Sequence, residues 1–172
     1  MTAPALPVAR VAADRFELRL EPHERRILQS LVAELRAELD DPAGRSPGGA
    51  LARLYPAAFP GDAAASADYA ELVHEDLAAT RQQRISAVEA TIDAEVLDEA
   101  QAAAWLGVLN DARLVLGTSL GIEEDASDDV PDGDDPEAIR KAVFAYLGWL
   151  VAAFTDALAE GLPEVPDEDE DA

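Results

Sequence analysis

The apolar residues between Trp105 and Leu120 recur at helical spacing, and this segment constrains the fold more than any other part of the chain. At about 100° per residue, one helix face collects Trp105, Leu109, Ala112, Leu116 and Leu120. Arg113 falls at the border of that face, where a permanent cation costs free energy unless a carboxylate contacts it. The segment therefore predicts a packed helix in which Arg113 needs an acidic neighbour.

Three other segments show helical spacing: Pro22 to Leu39, about Ser66 to Val96, and about Pro136 to Glu160. A shorter helix is predicted from about Ala50 to Tyr55. Near the N-terminus, residues 8–11 and 16–20 have the alternation of two short strands. We therefore expect a mostly α fold, namely a bundle of about four to five helices with a short N-terminal β-hairpin.

The chain of 172 residues suits one domain, which we place at residues 1–162. The segment Glu123 to Glu137 holds nine acids and no base, which predicts a mobile acidic loop at about 123–136. Residues 163–172 are predicted to form a disordered acidic tail. The first residues lack the apolar stretch of a signal peptide, so we expect a cytoplasmic protein.

The formal net charge of −23 is the strongest global property of the chain. Such a field repels the phosphate backbone, so direct DNA binding is disfavoured. The least acidic part is the start of the chain, and its candidate partner surface comprises Arg15, Arg19, Arg25 and Arg26. Both this surface and the acidic loop and tail are open as contacts for a protein partner.

The last predicted helix is apolar nearly all round between Ala142 and Phe154. It is too short to span a bilayer and is interrupted by Asp156, so the pattern predicts a central buried helix and no membrane segment. Whether the chain forms a homodimer through this helix is left open.

A candidate partner for Arg113 lies on the helix from Ser66 to Val96. Asp76 falls in the middle of its predicted inner face, which comprises Tyr69, Leu72, Val73, Leu77, Thr80 and Val88. We expect Asp76 and Arg113 to form a structural ion pair between two helices, joined by Asn110. A ligand-binding acid–base pair at the same place is the alternative.

No pattern in the sequence predicts catalysis, a metal or a cofactor. Glu71 and His74 have the Glu-x-x-His spacing of helical di-iron sites, but a second copy is missing. Counted from Asp128, the acidic loop lacks the third and twelfth ligands of an EF-hand. The sequence also lacks a nucleophile elbow and a phosphate-binding Gly-Lys-Ser/Thr loop. We expect a non-enzymatic protein without a cofactor.

Several stretches resemble an actinobacterial family long described as a domain of unknown function, some of whose members are AosR-type oxidative-stress transcription regulators. The resemblance is carried by RFELRLEPHERRILQSLVAEL (15–35), LARLYPAAFPGD (51–62), YAELVHEDL (69–77), AWLGVLNDARLVLGTSLGI (104–122) and YLGWL (146–150). It implies a regulator that contacts a sigma factor or RNA polymerase. Family members are typically encoded beside the adaptor ClpS. The named regulators use a cysteine pair as a redox switch, whereas this chain has no cysteine and cannot form sulfenic acid or a disulfide.

Three alternatives to contact with the transcription machinery remain open. The first is an accessory role in ClpS- and Clp-linked proteolysis. The second is DNA recognition through a helix-turn-helix-like element near the arginine-rich start of the chain. The third is an enzyme with a polar pocket around Arg113, Asn110 and Asp76.

Overall fold

A computed structural model describes residues 6–41, 49–56, 58–59, 61–122 and 135–160, with the side chains of 70–73 left out. Its elements are β1 (Val8–Ala12), β2 (Arg15–Leu18), α1 (Pro22–Asp40), α2 (Ala63–Thr91), β3 (Val96–Leu97), α3 (Glu99–Ser119) and α4 (Pro136–Ala159). The prediction of a mostly helical fold with an N-terminal hairpin is confirmed. Residues 50–54 form turns in place of the predicted short helix. The predicted acidic loop, apart from its last two residues, and the predicted tail lie outside the described residues.

The hairpin is part of a three-stranded antiparallel sheet with the order β1-β2-β3. Phe16 pairs with Arg10 on one side and with Leu97 on the other. Phe16 and Leu18 alternate with polar residues and are buried, as their spacing predicts. Strand β3 was not predicted, because the predicted helix from about Ser66 ran on to Val96, which is the first residue of β3.

The four described helices run antiparallel to their neighbours in chain order. Arg25 near the start of α1 bonds the Ile92 carbonyl just after the end of α2. Trp105 near the start of α3 stacks on Phe154 near the end of α4. The sheet lies at the end of the bundle where α2 ends and α3 begins. Asp14 in the hairpin turn accepts a hydrogen bond from the Glu99 backbone N–H at 2.7 Å, which ties the sheet to the first turn of α3.

The helix ends follow the local chemistry of the sequence. The predicted Asp98 cap is confirmed, since its carboxylate accepts the Gln101 backbone N–H at 2.7 Å. Asp135 caps α4, whose first residue is Pro136. The predicted end of α3 at Gly121 is also confirmed: this glycine has a φ of +64°, and the Ile122 N–H returns to the Gly117 carbonyl at 2.9 Å.

The predicted inner face of α2 is wrong in its first half. Tyr69, Leu77 and Thr80 are exposed, and only Val88 of the described predicted positions is buried. The side chains of Leu72 and Val73 are not described. Helix α2 packs through its second half, by Ile85, Val88, Thr91 and Ile92. The two halves of this 29-residue helix carry apolar stripes at different angles, and the described apolar residues of the first stripe, Tyr69 and Leu77, are exposed.

Helix α4 is less buried than predicted. It is long and apolar enough to cross a membrane by length and composition, yet only 33% of its most apolar window is buried in the protein. One side packs on α3 and β1, through residues that include Phe144, Leu147, Leu150 and Phe154. The opposite side is exposed, because no further helix of the described chain covers it.

Candidate functional site

A buried ion pair joins α2 to α3, formed by residues other than the predicted ones. The Arg81 Nε donates to the Asp111 carboxylate at 3.2 Å, and their side chains are 15% and 11% exposed. A second nitrogen of Arg81 donates to the Leu54 carbonyl at 3.1 Å, and its guanidinium lies 4.9 Å from the centre of the Tyr55 ring. Arg81 therefore fastens the segment between α1 and α2 onto the bundle.

Two opposed effects act on the Asp111 carboxyl. Burial raises its pKa above the usual value, whereas the charge and hydrogen bond of Arg81, and the charge of Arg84, lower it. Burial is the larger effect, so the net direction is upward. The pair thus satisfies a buried charge without fully offsetting the cost of removing it from water.

The segment that Arg81 holds also contacts the N-terminal half of α2. The ring of Tyr55 meets the ring of His74 edge to face, with centroids 4.8 Å apart. His74 is half-buried and packs on an aromatic ring. In the part of the chain that the structure describes, no group of three or more His, Cys, Asp or Glu residues is arranged to hold a metal ion.

The predicted ion pair between Asp76 and Arg113 does not form. Asp76 is exposed, and so is Asn110, the residue predicted to join the pair. Asp76 precedes the buried Ile85 by nine residues, which is about two and a half helical turns, so the two lie on opposite faces of α2. An ion pair between α2 and α3 does exist, but the arginine is on α2 and the carboxylate is on α3.

Arg113 stacks on aromatic carbon instead of pairing with an acid. Its guanidinium carbon lies 4.3 Å from the centre of the Phe144 ring, in cation–π geometry. Its Nε is buried and has no hydrogen-bond partner among the described residues. This nitrogen also lies 3.1 Å from where a Cβ on Gly148 would be, so the glycine leaves room for the arginine. Arg113 therefore lies over α4 between Phe144 and Gly148.

The two described surface cavities lie away from the predicted acid–base pair. One, of about 240 Å³, is lined by residues of α1, α3 and α4 and by Ala50. The other, of about 320 Å³, lies between α1 and α2 and is lined by Val32, Val88 and Ile92 among others. None of Asp76, Asn110 and Arg113 lines either cavity.

The four arginines of the predicted partner surface have different environments. Arg15 and Arg26 are exposed. Arg19 is exposed too, but its guanidinium bonds the neighbouring Glu17 carboxylate. The partly buried guanidinium of Arg25 donates to the carbonyls of Leu20, Ile92 and Ala94. Arg25 therefore joins the start of α1 to the end of α2, and only Arg15 and Arg26 are uncommitted within the described structure.

Glu24 connects the start of α1 to the middle of α4. Its carboxylate accepts the Glu21 backbone N–H and the Tyr146 hydroxyl, each at 2.7 Å. Burial, followed by the bond to Glu24, raises the pKa of Tyr146 far above its usual value of 10.0. This role of Tyr146 was not predicted, because its position on an apolar helix offers no signal for a polar contact.

We expect the phenol of Tyr146 to make stability depend on pH in alkaline solution. A raised folded-state pKa means that its contribution is fully present below about pH 10 and is lost as the pH rises above that value. The free energy of unfolding of the native chain relative to Tyr146→Phe should therefore fall as the pH rises above about 10 in urea titrations. Tyr69→Phe, at an exposed tyrosine, should show no such difference, and equal behaviour of the two variants would contradict the assignment.

The part of the chain that matches a known family covers nearly all of the described fold. No curated protein and no solved structure gives a significant match to the chain. The sequence model of a family described as Domain of unknown function (DUF2017) matches residues 6–158, which run from two residues before β1 to the last turn of α4. The matched range contains the hairpin, the four described helices except the last residue of α4, and the buried Arg81–Asp111 pair, and the chain belongs to the DUF2017 family.

Proposed function

We propose that this protein is a cytoplasmic, non-enzymatic regulator that acts by contact with a sigma factor or RNA polymerase, as AosR-type regulators do. The resemblance in the segment around Leu109-Asn110-Asp111 and in the other stretches quoted above supports this proposal. The net charge of −23 also favours a protein partner over direct contact with DNA. Without cysteine, the signal to which it responds differs from the thiol switch of the named regulators.

The observation that carries the proposal is a set of exposed apolar and basic residues in and next to the hairpin and in the first turns of α1. We call it the hairpin surface, and it comprises the exposed residues Leu6, Val11, Arg15 and Arg26. Leu6 and Val11 are 53% and 54% exposed. Arginine is enriched in protein interfaces, and exposed apolar side chains can be buried there. β1 is also an edge strand, to which a partner strand can add.

We expect purified actinobacterial RNA polymerase, or one of its sigma factors, to bind the full chain in a biolayer interferometry assay. The double variant Arg15→Glu/Arg26→Glu should weaken that binding about tenfold or more. The matched control is Arg140→Glu/Lys141→Glu, which makes the same charge change on α4 at exposed and half-exposed positions. It should bind like the native chain.

Circular dichroism establishes that each protein is folded in the assay. A folded native chain that binds neither the polymerase nor a sigma factor would contradict the proposal. Binding to purified ClpS or a Clp ATPase, with no binding to a transcription protein, would instead support the role in proteolysis. Equal loss of binding in both double variants would show that overall charge, and not the hairpin surface, determines contact.

A further inference from the structure

The exposed side of α4 has the spacing of a helix-pairing seam. Its members are separated by alternating intervals of three and four residues, and we call them the α4 outer face: Ala142, Ala145, Trp149, Ala152, Asp156 and Ala159. All are exposed except Ala145, which is half-buried. Trp149 is 43% exposed and contacts the ring of Tyr146 at a centroid distance of 5.8 Å. A large exposed aromatic residue of this kind is a common centre of protein interfaces.

The charge of α4 permits contact with a second copy of a strongly acidic chain. The helix contains two acids, Glu137 and Asp156, and two bases, Arg140 and Lys141. The formal net charge of α4 is therefore zero, whereas that of the whole chain is −23. Two copies that meet along α4 bring together their least repulsive helices.

Arg113 places a positive charge against α4, beside this face. No described carboxylate forms an ion pair with it, although acids outnumber bases 36 to 13 in the chain. Its guanidinium lies against Phe144 and Gly148, and Ala145 is in the turn of α4 between these two residues. Asp156 is an exposed acid on the same outer face, about three turns further along the helix.

We propose that the α4 outer face binds the same face of a second copy in an antiparallel, two-fold symmetric pair. A seam with alternating intervals of three and four residues has two types of position. In an antiparallel pair of helices, each type faces the other type on the second helix. Trp149 then packs opposite Ala152 of the second copy, a large side chain against a small one. Ala145 lies opposite Asp156 of the second copy, which places that carboxylate at the height of Arg113. The symmetry forms this ion pair twice.

Sedimentation velocity of the purified chain over a concentration series tests the proposal. The native chain should shift from monomer to dimer as its concentration rises, and added salt should weaken the dimer. Asp156→Arg should raise the dimer dissociation constant about tenfold or more, because two arginines then face each other. Asp93→Arg makes the same charge change at an exposed position after α2 and should leave the dissociation constant unchanged.

Two further variants make the test specific. Arg113→Asp/Asp156→Arg reverses the proposed pair and should restore dimerisation relative to Asp156→Arg alone. Ala152→Glu places a charge opposite Trp149 without touching the core, and it should abolish the dimer. The control Ala90→Glu, at an exposed position of α2, should leave the dimer intact. If the charge-reversed variant does not fold, Ala152→Glu and Asp156→Arg decide the outcome.

Three results would overturn the proposal. The first is a native chain that stays monomeric throughout the concentration series. The second is a dimer that Ala152→Glu and Asp156→Arg leave intact. The third is a monomeric chain that binds phosphatidylcholine vesicles through Trp149, which would assign the face to a lipid surface. The assay uses the purified chain alone, so its outcome is independent of any transcription partner.

Discussion

Replacing Asp111 with alanine is expected to lower the free energy of unfolding by about 3–5 kcal/mol. The change leaves the Arg81 guanidinium in a site where its side chain is only 15% exposed and its nearest carboxylate is gone. The hydrogen bond to the Leu54 carbonyl and the contact with Tyr55 hold the guanidinium there, so it cannot move to water without releasing these two residues. Urea denaturation followed by circular dichroism measures the loss.

The control for this variant is Glu89→Ala, which removes the carboxylate of a more exposed ion pair. Arg36 and Glu89 are 33% and 45% exposed, so their pair contributes at most about 1 kcal/mol. A loss for Asp111→Ala no larger than that for Glu89→Ala would contradict the importance of burial. Because burial raises the pKa of Asp111, the double variant Arg81→Met/Asp111→Leu should recover most of the lost stability.

The positions of the helices along the sequence could be predicted better than the face of α2 that packs against other elements. Helix α1 begins at Pro22 and α4 at Pro136, as predicted, because a proline at the first helical position acts locally. The face that a long helix buries depends on which other elements it meets. In α2, the residues from Tyr69 to Thr80 suggested one face, whereas the helix packs through Ile85 and Val88, of which only Val88 was assigned to that face.

The correct ion pair was accessible to the same argument, applied to the other half of α2. Arg81 leads the stripe Ile85, Val88 and Ile92 at helical spacing, which places a cation in line with buried apolar residues. Asp111 likewise follows Ala104 and Val108 on α3. The two charges were missed because Arg113 was assumed to need a carboxylate. Its contact with Phe144 depends on the glycine at 148, and that three-dimensional relation left no periodic signal.

Replacing Trp105 with alanine is expected to cost about 3–5 kcal/mol of stability, the second large effect. Trp105 is 1% exposed and stacks on Phe154 with the ring planes 3° apart, at a centroid distance of 5.9 Å. Its indole N–H donates to the Thr91 hydroxyl at 2.9 Å, which joins α3 to the end of α2. The alanine variant therefore leaves a cavity between three helices and a buried hydroxyl with one partner fewer.

The chain provides a matched control, since its other tryptophan, Trp149, lies on the solvent side of α4. Trp149→Ala, measured at concentrations where the chain is monomeric, should change the free energy of unfolding by less than about 1 kcal/mol. It should nevertheless weaken the proposed dimer. Trp105→Ala should do the reverse, lowering stability while leaving the outer face of α4 unaltered in the molecules that fold. Equal stability losses in the two variants would mean that α4 buries both of its sides, and the surface assigned to the second copy would then lie inside the protomer.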